Sequence, residues 1–350
     1  MPKASSTEYR FSFGVWNIHE GGDLFGPPVR KPFTFNEKIE FYKKLGFDGV
    51  EFHDDDVVPN LNDLTHGQII QRAGQVKKIL DEHDLVAEFV GPRLWEDPRT
   101  VDGAFTSNDE GDRKYAIERA LTSIDIAREL GTDKIVLWLA REGTYVRESK
   151  NPMVAFGRIV DAIDKMLDYD KTIKILIEPK PNEPMDQAYI PTVGHAVALS
   201  YKTIDPSRVG VLVESAHCVL AGLDPSEEMA YALSHNKLWG VHLNDQNGPK
   251  FDEDRSFGSV DLRRAFDQVR VLEEGGYGKS HGFVGFDVKA VRTQPREIST
   301  KHLSNSRDLF LYLVNKVRTI DRKKEEELIK ARDYEGLDLF IIKHLMNVED

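Results

Sequence analysis

The sequence predicts a (β/α)8 barrel. Three observations carry that expectation. Eight short β-branched or apolar runs punctuate the first 320 residues, and longer stretches of helical period separate them. No Gly-rich dinucleotide fingerprint follows the first run, which sets aside a doubly wound open sheet, an architecture that also has fewer strands.

In order, the runs are FSFGVW (11–16), FDGVEF (47–52), LVAEFV (85–90), KIVLWL (134–139), IKILIE (173–178), VGVLVE (209–214), LWGVHL (238–243) and HGFVGF (281–286). Between them lie NEKIEFYKKLG (36–46), GQIIQRAGQVKKILDEH (67–83), DRKYAIERALTSIDIARELG (112–131), RIVDAIDKMLDY (158–169) and DLRRAFDQVRVLEE (261–274). Several of these segments end in Gly, a helix-terminating signal. No low-complexity or Pro/Gly-rich linker divides the first 320 residues, so the TIM-barrel domain is placed at 10–320. After that the texture changes. DRKKEEELIKARDYEGLDLFIIKHLM (321–346) is charged and helical with no strand partner, so 321–350 reads as a helical arm. Leu337, Leu339, Phe340, Ile341 and Ile342 would let it pack on a neighbouring subunit.

Composition narrows the function. The 350 residues hold 59 acidic against 47 basic side chains, a net charge of −12, which argues against a nucleic-acid partner and against anionic lipid. The single cysteine, Cys218, allows no intramolecular disulfide. The first ten residues are polar, without the apolar segment of a secretory leader, and no run approaches the roughly 20 residues that span a bilayer. A cytoplasmic enzyme is expected.

In a barrel of this type the chemistry sits where the strands end. The second run ends in Glu51-Phe52-His53-Asp54-Asp55-Asp56, the fifth in Glu178-Pro179-Lys180, and the sixth in Glu214 with His217 three residues on. The seventh ends in His242-Leu243-Asn244-Asp245, a loop carries Asp252-Glu253-Asp254, and the eighth ends in Asp287-Val288-Lys289. Each group alone is ordinary, a salt-bridge partner or a turn. Glu, Glu, His and Asp on four consecutive strand ends would converge, and would repel without a cation between them. Oxygen ligands with one or two imidazoles suit Mg²⁺, Mn²⁺ or Co²⁺, and the lack of thiolates argues against structural zinc.

These residues resemble the xylose isomerases, most of all the shorter, actinobacterial-type class. The likeness is carried by EFHDDDVVPN (51–60), IEPKPNEP (177–184) with PTVGH (191–195), Glu214-x-x-His217 and KFDEDRSFGSVDLRRAF (250–266). FGVW (13–16), DLFG (23–26), GAFTSND (103–109) and Trp138 with Arg141-Glu142-Gly143 also fit, and the likeness runs from about residue 10 to 320. The resemblance implies roles. His53, oriented by Asp56, would help open the sugar ring. Glu178, Glu214, the residue at 242 and Asp287 would hold a first metal ion, and Glu214, His217, Asp252 and Asp254 a second. Lys180 would bond the sugar O1 as a cation. Trp16, Trp138 and Phe25 would wall the pocket, Phe25 lent by a neighbouring subunit of a homo-oligomer, a tetramer or dimer.

Moving one hydrogen between C1 and C2 of a sugar needs either a free base or cations that polarise both oxygens. Nearly every carboxylate of the set is committed as a ligand, which favours the cations, a hydride shift and an apolar wall that excludes water. Three positions depart from the family. His242 stands where a ligating aspartate is expected, with Asp245 as the alternative ligand. Trp95 stands for a pocket Phe and Gly91 for a substrate-contacting Thr. A histidine ligand of the first metal resembles the rhamnose isomerases and tagatose-type epimerases. The sequence therefore reads as a metal-dependent aldose–ketose isomerase acting on D-xylose or a hexose. A ketose epimerase, or an isomerase of another sugar such as rhamnose, is the alternative.

Overall fold

The computed structural model describes residues 9–280 and 282–348. The N-terminal segment read as lacking a leader lies outside these residues, apart from its last two, as does His281 at the start of the eighth run and the last two residues of the arm. Each of the eight runs forms a parallel strand: β1 Arg10–Gly14, β2 Gly49–His53, β3 Val86–Gly91, β4 Lys134–Trp138, β5 Lys174–Glu178, β6 Val209–Glu214, β7 Leu238–His242 and β8 Phe283–Phe286. They close into one barrel in the order β1-β8-β7-β6-β5-β4-β3-β2. Closure satisfies the backbone groups that an open sheet would leave at its edges.

Five helices lie where the periodicity puts them, at Phe35–Leu45, His66–Glu82, Glu110–Leu130, Pro152–Tyr169 and Leu262–Glu274, whereas Val193–Ser200, Pro225–Ser234 and Lys301–Thr319 were not singled out in the sequence. Thr34 and Thr65 cap two of them, accepting from the backbone N–H of Glu37 and Gln68. Gly46 ends the first of these, and Gly131 the helix Glu110–Leu130, in left-handed conformation (φ 80° and 85°), which glycine adopts without a Cβ clash. Ile39, Ile69, Ala73, Leu80, Ile124, Ile159 and Val269 bury the inward stripes against the strands, and this layer is the main core. A smaller group, Phe89, Val136, Leu176 and Leu212, packs with Trp16 and Trp239 as a separate cluster.

Register sets the level of the polar groups. Trp138 pairs with Glu178 across β4 and β5, Glu214 with His242 across β6 and β7, and His242 with Gly285 across β7 and β8. One short antiparallel ribbon, Gly143–Thr144 with Gln187–Ala188, was not legible in the sequence because two-residue strands carry no periodicity.

The arm forms two helices, Arg322–Ala331 and Tyr334–Met346. It lies on its own barrel. Ile341 is buried and Leu337, Phe340 and Leu345 pack against the core, while Arg270–Glu325 (2.5 Å) and Arg263–Asp338 (2.9 Å) tie it to the helix Leu262–Glu274. Leu339, Ile342 and Met346 remain exposed. No described helix is long and apolar enough to cross a membrane.

Candidate active site

The strand ends open into a cavity of about 870 Å³ lined by Trp16, His53, Trp95, Trp138, Glu178, Lys180, Glu214, His217, His242, Asp252, Asp254 and Asp287, among others. Of the residues predicted for the site, only Asp56 and Phe25 do not line it. Asp56 sits behind His53. Phe25 is 80% exposed and stacks edge-on against Phe251, while its neighbours Leu24 and Gly26 do line the cavity.

The run His53-Asp54-Asp55-Asp56 divides its labour. Asp54 is fully buried and anchors the strand end to the helix behind it, through Arg119 Nε (2.7 Å) and Ser123 Oγ (3.1 Å). Asp55 accepts from Arg93 Nε at 2.8 Å. Asp56 Oδ2 accepts the backbone N–H of His53 at 2.8 Å and lies 3.1 Å from its Nδ1. Arg93 also brings a guanidinium nitrogen to 2.9 Å from the same Nδ1. Nδ1 can donate to Asp56 or, in the other tautomer, accept from Arg93, so it has a partner in either state. Arg93 was missed in the sequence, since a lone arginine forty residues away carries no signal of that contact.

The rings of Trp16 and Trp95 flank His53, at 4.3 and 5.1 Å between centroids, and Trp138 packs edge-on against Trp95 at 4.6 Å. Trp95 therefore lines the cavity beside His53. Gly91 pairs with His53 across β2 and β3. A Cβ at Gly91 would lie 3.2 Å from the Val136 carbonyl oxygen.

The opposite side of the cavity is acidic. Three groupings could each hold a metal ion: Glu178, Glu214 and His242; Glu214, His217 and Asp252; and Glu214, Asp254 and Asp287. Glu214 belongs to all three. The sequence places Asp287 with the first set, whereas in the structure it groups with Glu214 and Asp254. Asp287 Oδ1 also accepts from Trp16 Nε1 (3.1 Å) and Asn17 Nδ2 (2.5 Å). Asn244 braces the cluster, donating to Glu214 Oε1 at 2.9 Å and to the Asp287 carbonyl at 3.0 Å. Asp245 is directed elsewhere. It accepts the backbone N–H groups of Gln246, Val260 and Asp261 and so shapes the following loop.

The donor set fits a divalent cation. His217 Nδ1, both nitrogens of His242 and Asp252 Oδ1 are buried without an aligned hydrogen-bond partner among the described residues. Without a cation the protonation equilibria are distorted. Burial pushes the Glu214 carboxyl well above its ordinary range, and Asp254 rises through burial and the neighbouring Asp252. Burial would raise Glu178 too, but His242 and His217 hold it down at about 2. His242 moves the other way. Burial would lower it, and the carboxylates of Glu51, Glu178 and Glu214 raise it well above its ordinary value. A cluster that must borrow protons or imidazolium to stay together is one that a divalent ion would relieve.

Two lysines complete this side. Lys180 Nζ lies 2.9 Å from Asp252 and 3.2 Å from Glu183, and sits over the Trp138 ring at 5.3 Å. Lys289 pairs with Asp254. Farther out, Glu142 accepts from the backbone of Phe105 (2.7 Å) and Thr106 (3.0 Å), so the runs GAFTSND and Arg141-Glu142-Gly143 hold one another.

Residues 39–298 match the family model described as the xylose isomerase-like TIM barrel. The chain belongs to that family. A xylose isomerase of Thermus thermophilus is 37% identical over 297 residues, covering 83% of this chain and 75% of that protein. Among solved structures, a D-tagatose 3-epimerase-like protein superposes with a TM-score of 0.63 at 18% identity, over 87% of this chain and 98% of the other. An L-ribulose 3-epimerase superposes with a TM-score of 0.60 at 15% identity, over 93% and 99%. The two structures share the fold. The barrel and the xylose isomerase-like family expected from the sequence are therefore both borne out, and the enzyme class expected, a sugar isomerase, is that of the curated relative.

Proposed function

We propose that this member of the xylose isomerase-like family is a divalent-metal-dependent aldose–ketose isomerase acting on a free sugar such as D-xylose or a hexose. The observation that carries the reading is the shared Glu214. It brings three groupings of buried and half-buried ligands into contact, more negative charge than the adjacent imidazoles and lysines neutralise.

In this reading Glu178, Glu214, His242 and Asp287 hold one ion, and Glu214, His217, Asp252 and Asp254 a second, Mg²⁺, Mn²⁺ or Co²⁺ in each. Bound there, the ions would polarise the sugar oxygens at C1 and C2 and stabilise the charge that develops as hydrogen moves between those carbons. The chain's own groups do the rest. His53 has Nδ1 engaged by Asp56 or Arg93, which leaves Nε2 to exchange a proton with the ring oxygen or O1 during ring opening. Lys180 stays cationic, because burial, which would lower it, is outweighed by Asp252, Glu183 and Glu214. It is placed to bond O1. Trp16, Trp95 and Trp138 exclude water from the reacting carbons. Phe25, exposed on its own chain, would complete the wall of a second copy's cavity, and the protein would be a homo-oligomer, a tetramer or dimer.

A one-metal ketose epimerase is the second reading. It is favoured by the lysines on Asp252 and Asp254, which could neutralise the second grouping without a metal. The test is a panel of aldoses and ketoses with Mg²⁺, Mn²⁺ or Co²⁺. Ketose formation from an aldose supports isomerisation. Epimers at C3 with no aldose–ketose exchange would replace it with the second reading.

A further inference from the structure

The least expected group near the cluster is Glu51. It lies two residues before His53 on β2, and side chains two apart on a strand share a face. It is fully buried, and both its carboxylate oxygens lack an aligned hydrogen-bond partner among the described residues. Its Oε2 is 3.2 Å from Nε2 of His242. The other ring nitrogen, Nδ1, is 3.6 Å from Glu178 and 3.7 Å from Glu214. The imidazole thus stands between one carboxylate outside the metal-ligand groupings and two inside them.

The third member of this arrangement is a space. Gly285 is the register partner of His242 on β8. A Cβ there would lie 2.8 Å from Glu51 Oε1, 3.0 Å from His242 Cδ2 and 2.6 Å from the Val241 carbonyl oxygen. Only a residue without a side chain leaves room for the pair. The other polar neighbours of Glu51 do not explain it. Ser12 Oγ makes no aligned bond among the described residues, and the nearby Glu88 is 3.7 Å from Lys134. A buried carboxylate serving packing alone would cost more than an apolar side chain of the same volume.

We propose that Glu51 is the positioning residue of His242, accepting its Nε2–H so that Nδ1 faces Glu178 and Glu214 as a metal-ligating nitrogen. This rests on the reading of the cluster as a metal centre. A ligating imidazole carries its proton on the nitrogen away from the metal, and a carboxylate on that proton fixes both tautomer and ring orientation. The departure at position 242 is then one of three linked features, with Glu51 supplying the acceptor and Gly285 the room.

The test is calorimetric titration of Mn²⁺ into the metal-stripped full-length protein, in four forms: wild type, Glu51→Gln, His242→Asp and the double variant. Glu51→Gln should weaken binding by about 10- to 100-fold. In the His242→Asp background the same change should cost less than about 3-fold, since Glu51 then has no imidazole to orient. Wild-type-like affinity in Glu51→Gln, or an equal loss in both backgrounds, overturns the positioning role and leaves the metal centre standing. A wild-type protein that binds no Mn²⁺ overturns the metal centre itself, and the positioning role with it. Should Glu51→Gln fail to fold, Glu51→Asp keeps the charge and withdraws it by one methylene. The visible spectrum of its Co²⁺ form should shift and its affinity fall. An unchanged spectrum and affinity would refute the role.

Discussion

The two sides of the cavity solve opposite problems. On the side built by β1 to β4, His53 is held by Asp56 and Arg93, Arg93 is held by Asp55, and the indoles of Trp16 and Trp95 pack on the imidazole. On the side built by β5 to β8, Glu214, His217, His242 and Asp252 crowd together, and several of their buried atoms find no aligned partner among the described residues. The first side is preorganised by the protein alone. The second, in the metal-centre reading proposed above, would be completed by a divalent ion. The difference teaches where the protein has left its electrostatics open, and each experiment below presses on one side.

The largest effect should come from emptying the acidic side. Chelation, or Glu214→Ala, which touches all three groupings, should lower turnover by roughly 1000-fold or more. Sugar binding to the aromatic side, followed by tryptophan fluorescence, should survive far better. Full turnover after exhaustive EDTA treatment would erase the contrast between the sides.

Lys180 sits where the sides meet, on Asp252 and over Trp138. Lys180→Met keeps most of the volume and should lower kcat by about 100-fold with little change in KM. A change in KM alone would move Lys180 from charge stabilisation to sugar holding.

On the preorganised side, Arg93→Met should release the His53 ring and lower kcat/KM by about 10-fold. Metal affinity by calorimetry should stay as in the wild type. A large loss of metal affinity instead would show that the two sides are not independent.

The smallest effect concerns the link between them. Asn17 Nδ2 holds Asp287, and the Asn17 carbonyl meets Nε2 of His302 at 3.0 Å. Burial lowers His302 from its ordinary 6.5 to about 4. The unfolded chain therefore takes up this proton at a higher pH than the folded one. Its contribution to stability is complete above about pH 6.5 and is lost as pH falls toward 4. Urea midpoints at pH 7.5 and pH 5 should differ, and the difference should shrink in His302→Gln. An unchanged difference would assign the acid sensitivity to other groups. His19, lowered to about 4 by burial and Lys289, is the next of these.

Much of this was legible in the chain. Strand and helix periodicity are local, so each of the eight runs became a barrel strand and Glu178, Glu214 and His242 were correctly placed at strand ends. The family likeness reached further, because runs such as IEPKPNEP and HDDD constrain several residues at once. Counting along such a run singled out Trp95, which lines the cavity.

What only the tertiary structure decided is which side chains meet. Arg93 reaches His53 across forty residues, Asp287 groups with Asp254 as well as Glu214, and Asp245 turns to its own loop. Glu51 read as one more strand residue until closure of the barrel set it against His242 and the missing side chain of Gly285. The arm's Ile341 found cover on its own barrel, while Leu339 and Ile342 did not. Periodicity tells a residue which face it shares with near neighbours along the chain. Register, barrel closure and loop path determine what lies across from it, and those depend on the whole chain at once.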